Sequence, residues 1–137
     1  MASEPASSTS TILIVDDTET CAATLELAFS GIPGVRTRLA TTGAEALHAL
    51  SDESTPVCAV VTDLHLPRVD GFELIRAIRA DRRHAHVPII VTSADTDPRT
   101  PRRTFDIGAN AYFAKPYSPS LVRRKLEQLL HANQTSE

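Results

Sequence analysis

Two hydrophobic periodicities alternate along the chain and together predict its architecture. Short, β-branched apolar runs recur five times and predict strands over residues 12–15, 35–40, 57–62, 87–92 and 111–114. These runs are apolar throughout rather than alternating, which is typical of strands that are covered on both faces of a sheet. Five such strands separated by helical stretches predict a parallel sheet with helices on both sides.

The stretches between the strands have the spacing and the end signals of helices. Apolar residues fall on one helical face in three of them: Ala22, Leu25 and Phe29; Leu74, Ile75 and Ile78; Val122, Leu126, Leu129 and Leu130. Thr42 followed by Glu45 predicts a capping box. Ser118 before Pro119 predicts a cap with proline in the first turn, and Gly108 is placed to end a helix.

The segment over residues 95–103 contains two prolines where the fourth helix should begin. A proline is tolerated in the first helical turn and breaks later turns. If Pro98 is the first helical residue, Pro101 lies at the limit of what a helix allows. We favour Thr100 as the cap and Pro101 as the first helical residue, which predicts a short fourth helix ending near Ile107 after a longer loop.

Length and charge restrict the classes of function. The 137 residues fit one domain, and the net charge of -3 with a pI near 5.9 is not the footprint of a nucleic-acid-binding protein. We expect the domain over residues 11–131, with disordered tails over 1–10 and 132–137. Residues 1–10 lack the features of a signal peptide, and no segment is long enough to span a membrane.

Cysteine and histidine give little indication of a structural metal. Cys21 and Cys58 are the only cysteines and form no CxxC pair, so we expect neither a disulfide framework nor a zinc site. The expected compartment is the reducing cytoplasm. His84 and His86 lie near each other, but no third ligand is close in sequence, so we interpret them as residues of a solvated loop.

Polar residues follow the predicted strands and carry the candidate chemistry. Asp16 and Asp17 end the first apolar run, Asp63 ends the third, and Thr92 and Lys115 end the fourth and fifth. The carboxyl ends of parallel strands meet at one edge of the sheet, where ligands of such folds bind. Three carboxylates at one edge repel each other unless a cation lies among them. A hard divalent cation there would suit phosphoryl chemistry.

Taken in order, these motifs resemble the receiver domain of response regulators, of the single-domain, CheY-like kind. The matching segments cover residues 14–17, 63–71, 91–94, 108–109 and 112–116. The resemblance extends over about residues 11–130. It implies a flavodoxin-like, doubly wound sheet of five parallel strands in the order 2-1-3-4-5 with five helices.

The resemblance also implies roles for individual residues. Asp63 would accept a phosphoryl group as an aspartyl phosphate, a covalent strategy open to carboxylates. Asp16, Asp17, Asp63 and the backbone carbonyl of His65 would hold Mg²⁺, which keeps several waters and needs few protein ligands.

Further residues at the strand ends would sense the phosphoryl group. Lys115 and Thr92 would contact phosphoryl oxygens, and Pro116 resembles the cis-proline that follows this lysine in the family. Tyr112 resembles the aromatic switch that turns inward on phosphorylation and reshapes the surface of helix 4, strand 5 and helix 5. Five arginines are candidates for a partner-binding face: Arg99, Arg102, Arg103, Arg123 and Arg124.

The implied function is a signalling switch in a two-component phosphorelay. The donor would be a phosphohistidine on a sensor histidine kinase or a histidine phosphotransfer protein, and the output would be binding to a downstream protein or a phosphorylation-dependent homodimer. Such a chain catalyses only its own phosphorylation and dephosphorylation and is not otherwise an enzyme.

Three alternatives stay open from the sequence. The chain could be an adaptor or dimerisation receiver that signals without phosphorylation, or a receiver fragment of a hybrid kinase. A hydrolase that uses Asp63 as its nucleophile is disfavoured because His65 stands where such enzymes carry an acid.

Overall fold

The computed structural model describes residues 10–135, and in this part of the chain five parallel strands form one sheet. The strands are β1 (Ser10–Val15), β2 (Val35–Ala40), β3 (Val57–Asp63), β4 (Ile89–Ser93) and β5 (Ala111–Ala114). They lie in the order β2-β1-β3-β4-β5. This is the flavodoxin-like order, so the predicted sheet is confirmed.

Five α-helices are present in the described part of the chain, as predicted: four connect successive strands, and the fifth follows β5. They are α1 (Glu19–Phe29), α2 (Gly43–Ser51), α3 (Gly71–Ala80), α4 (Thr100–Asp106) and α5 (Pro119–Thr135). A 3-10 turn, Arg82–His84, follows α3. None of the described helices is both long and apolar enough to cross a membrane.

Apolar side chains bury both faces of the sheet, which is what the uninterrupted apolar runs require. Leu13 and Val15 of β1 point into one core layer, together with α2 and α3. Ile12 and Ile14 of the same strand point into the other layer, together with α1 and α5. Burying side chains of this size contributes roughly 1.5–3 kcal/mol each, so the two layers fix the sheet between its helices.

Strand register brings the polar ends of the strands into line. Val15 of β1 pairs with Thr62 of β3, and Asp63 of β3 pairs with Thr92 of β4. Ser93 of β4 in turn pairs with Ala114 of β5, so the residues at or just after the ends of β1, β3 and β5 lie at the same edge of the sheet. This edge is the one at which the sequence predicts the candidate site.

Local hydrogen bonds explain where two helices begin. Asp70 and Glu73 form a complete capping box at the start of α3. At α2 the Thr42 side chain accepts from the Glu45 amide at 3.0 Å, as predicted. The Glu45 carboxylate accepts instead from the amide of Thr41, at 2.7 Å, one residue before the position that a capping box uses.

The fourth helix is short, as predicted, but the assignment of its cap was wrong. α4 has seven residues, and Arg99, not Thr100, occupies the cap position. Thr100 is already the first residue of the helix, and its hydroxyl donates to the Asp95 carboxylate at 3.0 Å. The helix begins one residue earlier than expected, with Pro101 still inside the first turn, where a proline is tolerated.

The first strand and the last helix extend beyond the bounds that we expected for the domain. β1 already includes Ser10, and α5 continues to Thr135, where we expected a disordered tail from residue 132. No proline or glycine follows His131 to stop the helix. The rest of the predicted tails, residues 1–9 and 136–137, lies outside the described residues.

His84 also differs from expectation. We interpreted it as a solvated loop residue, but it is buried, and its Nδ1 lies 3.2 Å from the Asp81 carboxylate. The Arg79 guanidinium donates to the carbonyl of His84 and to that of Gly108. His84 therefore belongs to a hydrogen-bonded junction between α3 and the start of β5.

Candidate phosphoacceptor and metal site

Three carboxylates converge at the carboxyl edge of the sheet, and we call this group, with Lys115, the acidic pocket. Asp16 and Asp63 are buried, with exposed fractions of 2% and 4%, whereas Asp17 is exposed. One carboxylate oxygen from each of the three residues lies within 4.8 Å of the other two. The structure thus brings together the residues that the sequence predicted to meet.

Lys115 reaches across the pocket from the end of β5. Its Nζ donates to Asp63 Oδ2 at 2.8 Å and to Asp16 Oδ2 at 3.4 Å. Burial alone would lower the pKa of Lys115, but its hydrogen bond to Asp63 and the charges of Asp63 and Asp16 raise the pKa above its usual value. The lysine therefore stays charged and bridges the two buried carboxylates.

Backbone amides hold the other oxygens of the two buried acids. Asp63 Oδ1 accepts from the amide of His65 at 3.1 Å, and Asp16 Oδ1 accepts from the amide of Thr18 at 2.8 Å. Each carboxylate is thus fixed by one backbone donor and by Lys115. The arrangement is preorganised because the donors belong to the turns that directly follow β3 and β1.

The turn after β3 folds tightly over the pocket. Gly71 is required here, because a Cβ at this position would lie 2.5 Å from Leu64 Cα and 2.7 Å from the Asp63 carbonyl oxygen. The Gly71 amide donates to the Leu64 carbonyl at 2.8 Å, and Arg68 has a positive φ of 67°. The side chain of His65 is exposed, while its amide points to Asp63.

The residues expected to sense a phosphoryl group lie around the same edge. Thr92 is buried beside Asp63 in the β3–β4 register. The Lys115–Pro116 bond is cis. Tyr112 is half-buried against the core layer of α2 and α3, and its buried hydroxyl has no hydrogen-bond partner among the described residues.

The five candidate arginines do not form a single patch. Arg99 pairs with Asp97 at 2.9 Å, and Arg102 lies 3.5 Å from Asp106, so both are engaged locally. Arg103 stacks over the Phe72 ring at 4.5 Å from its centroid. Arg124 is exposed on α5.

Arg123 faces a different part of the molecule. It donates to the Ala28 carbonyl of α1 at 3.3 Å and pairs with Glu127 at 3.3 Å. It therefore lies at the junction of α5 with α1, apart from the arginines of α4.

Two features beside the pocket were missed in the sequence. Burial and nearby negative charges raise the pKa of Tyr117 to about 12, and its hydroxyl is buried without a hydrogen-bond partner among the described residues. Its position two residues after Lys115 was the available signal. Asp95 accepts from Thr100 and from the amide of Asp97, which ties the loop after β4 to α4.

The donor set of the acidic pocket fits a hard divalent cation. Three carboxylates carry three negative charges, and Lys115 balances only one of them. Carboxylate oxygens are the ligands that Mg²⁺ prefers, and a magnesium site needs few of them from the protein. Asp16, Asp17 and Asp63 would therefore supply the protein ligands.

Comparison with known proteins agrees with this geometry. The chain matches the family model for the response regulator receiver domain over residues 12–127. It is 29% identical over 122 residues to chemotaxis protein CheY1 of Helicobacter pylori (strain J99), covering 89% of this chain and 98% of that protein. It is 30% identical over 118 residues to chemotaxis protein CheY of Pseudomonas aeruginosa, covering 86% of this chain and 94% of that protein.

A solved structure shows the same architecture. The crystal structure of a putative response regulator from Chloroflexus aurantiacus matches with a TM-score of 0.81 and 33% identity, covering 90% of this chain and 98% of that one. The fold, the acidic pocket and these matches lead to one assignment: the chain belongs to the response regulator receiver domain family, as a CheY-type receiver of two-component signalling.

Proposed function

We propose that Asp63 accepts a phosphoryl group and that this reaction switches the binding of a partner protein. The observation that carries the proposal is the position of the Asp63 carboxylate, 2.8 Å from Lys115 and within 4.8 Å of oxygens of Asp16 and Asp17. Lys115 together with a bound divalent cation would neutralise the three carboxylates beside an incoming phosphoryl group. Positioning and charge neutralisation are what phosphoryl transfer chiefly needs.

The chemistry follows from this arrangement. An oxygen of Asp63 attacks phosphorus, and the bond from phosphorus to the imidazole nitrogen of a phosphohistidine breaks. The imidazole leaves with the bonding electron pair and takes up a proton. Lys115, now on Asp63 Oδ2, would move to an oxygen of the transferred group, and the Thr92 hydroxyl would donate to another.

Asp16, Asp17, Asp63 and the His65 carbonyl would hold Mg²⁺, which neutralises charge on the carboxylates and on the phosphoryl group. The chain's own part is to orient these oxygens. The amides of Thr18 and His65 already hold one oxygen of Asp16 and one of Asp63. These two hydrogen bonds would keep the carboxylates oriented before the donor arrives.

The output would be a change in packing around Thr92 and Tyr112. The Tyr112 hydroxyl is buried without a hydrogen-bond partner among the described residues, and an unpaired buried hydroxyl costs free energy. A second arrangement in which this hydroxyl finds a partner would recover that cost. The surface of α4, β5 and α5 would then bind a downstream protein or a second copy of the chain, in the cytoplasm. Arg99, Arg102, Arg103 and Arg124 are its candidate contacts, and the catalysis of the chain would be confined to its own modification.

Intact-mass measurement tests this function. With Mg²⁺ and acetyl phosphate, the wild type is expected to gain the mass of one phosphoryl group, and Asp63→Asn is expected to gain none. Asp106→Asn, the same chemical change on exposed α4, is the matched control and should react like the wild type. Persistent labelling of Asp63→Asn, or none in the wild type, would reject Asp63 as the acceptor.

A further inference from the structure

A second concave site lies at the amino edge of the sheet, opposite the acidic pocket. It is a cavity of about 510 Å³, which we call the basal cavity. Its walls come from the first residue of β1, the α1–β2 loop, the start of β3, the segment before β4 and the end of α5. Cavities of roughly 300–1,000 Å³ are typical of small-molecule sites.

The floor of the basal cavity is apolar. The lining residues that are buried or half-buried include Ile32, Val57, Cys58, Val87 and Leu130, and their side chains are apolar or weakly polar. Burial raises the pKa of Cys58, so at neutral pH it presents a protonated thiol rather than an anion. An apolar ligand body would gain from leaving water at this floor.

The rim of the same cavity is basic. Arg82 and Arg83 line it on one side with His86, and His131 lines it from α5. Arg83 is already paired with Asp81 at 3.3 Å and Glu53 at 3.4 Å. No ion pair engages Arg82 within residues 10–135, so its guanidinium has donors to offer a ligand.

Among the described residues that line the cavity, Glu127 is the one acid, and it is already paired with Arg123 at 3.3 Å. The chain as a whole carries a net charge of -3, so this concentration of basic groups runs against its overall charge. An anionic group at the rim would therefore meet complementary charge, while a cation would meet repulsion.

We propose that the basal cavity binds a small organic anion, with its apolar body on the floor and its anionic group at the Arg82 side of the rim. The site lies at the amino edge of the sheet, and none of its lining residues belongs to the acidic pocket.

Binding of 1-naphthoate, followed by amide chemical shifts of the full-length chain, tests the proposal. Saturable shifts are expected at Ser10, Cys58 and Val87. Two matched probes separate the contributions: 1-naphthalenemethanol has the apolar body without the charge, and acetate has the charge without the body. Each should bind about ten-fold more weakly or worse, because a charge-assisted hydrogen bond and a buried ring are each worth at least that factor.

Variants locate the charge that matters. Arg82→Ala should weaken 1-naphthoate binding about ten-fold, whereas Arg76→Ala, an exposed arginine on α3, should leave it unchanged. Both arginines are exposed, so both variants are expected to fold, and their thermal unfolding checks this. Absence of saturable shifts, equal binding of the alcohol, or equal effects of the two variants would overturn the proposal.

Discussion

The two edges of the sheet carry charge in different ways. At the carboxyl edge Asp16 and Asp63 are buried and depend on Lys115, which is itself only 17% exposed, for compensation. At the amino edge, Arg82 and His86 are exposed to solvent at the rim of the basal cavity. Buried charges are costly without a partner, and exposed charges cost almost nothing.

This difference indicates where the molecule gives up stability for function. Two carboxylates and a lysine buried together would be replaced at little cost, or even with a gain, by apolar residues of the same volume. The free energy of folding therefore does not account for these residues at the carboxyl edge, whereas the proposed phosphoryl transfer does. Substitutions at the two edges should therefore have effects of very different size.

The largest effect on stability is expected from Lys115→Ala. It leaves Asp16 and Asp63 buried without their cation, and breaking such a pair should lower the free energy of unfolding by about 2–3 kcal/mol in this partly open pocket. Urea denaturation without Mg²⁺ measures the loss. Lys125→Ala removes the only other lysine and serves as the control. Equal stability of Lys115→Ala and wild type would show that the buried carboxylates do not depend on Lys115.

Magnesium should have the next largest effect. If it binds the acidic pocket of the folded chain only, Mg²⁺ at ten times its Kd raises the free energy of unfolding by about 1.4 kcal/mol. Asp17→Asn removes one ligand and should lose most of this gain, while the Asp106→Asn control should keep it. Thermal unfolding with and without Mg²⁺ gives the comparison. A gain that Asp17→Asn fully retains would remove Asp17 from the metal site.

A smaller effect concerns Tyr117, beside the acidic pocket. Its folded-state pKa of about 12 lies above the ordinary value of 10.0, so its contribution to stability is complete below pH 10 and is lost as the pH rises towards 12. Tyr117→Phe has no group to ionise. The difference in unfolding free energy between wild type and Tyr117→Phe should therefore shift in favour of the variant over this pH range. A difference that stays constant from pH 9 to pH 12 would contradict the burial of this hydroxyl.

The smallest effect is expected at the amino edge. Arg82→Ala should change the free energy of unfolding by no more than about 0.5 kcal/mol, because the side chain is exposed and has no ion pair within the described residues. Urea denaturation of Arg82→Ala and Lys115→Ala under the same conditions compares the two losses of unfolding free energy directly. A loss comparable to that of Lys115→Ala would remove the distinction between the two edges.

The sequence was sufficient to predict the sheet and the membership of the acidic pocket. The hydrophobic periodicity and the uninterrupted apolar runs indicate which segments become buried strands. The carboxyl ends of parallel strands then lie at one edge of the sheet. Asp16, Asp17, Asp63 and Lys115 were therefore predictable as neighbours. The short α4 was predictable too, because Pro101 restricts where that helix can begin.

Other features depend on contacts between residues far apart or on competition between local partners. Thr100 is a residue type that often caps helices, but here it is the first helical residue and its hydroxyl donates to the Asp95 carboxylate. His84 is polar and follows two arginines, yet Asp81 and Arg79 hold it in a buried junction. Arg123 was grouped with the arginines of α4, although it reaches across to α1. The hydrophobic periodicity of the sequence does not indicate which residues form these hydrogen bonds.

The most direct measurement is chemical trapping of the phosphorylated residue. Borohydride reduces an aspartyl phosphate to homoserine, and peptide mass spectrometry then identifies the position. After reaction with Mg²⁺ and acetyl phosphate, homoserine is expected at position 63 and nowhere else. Homoserine at position 16 or 17, or a phosphorylated chain that yields none, would contradict the assignment of Asp63 as the acceptor.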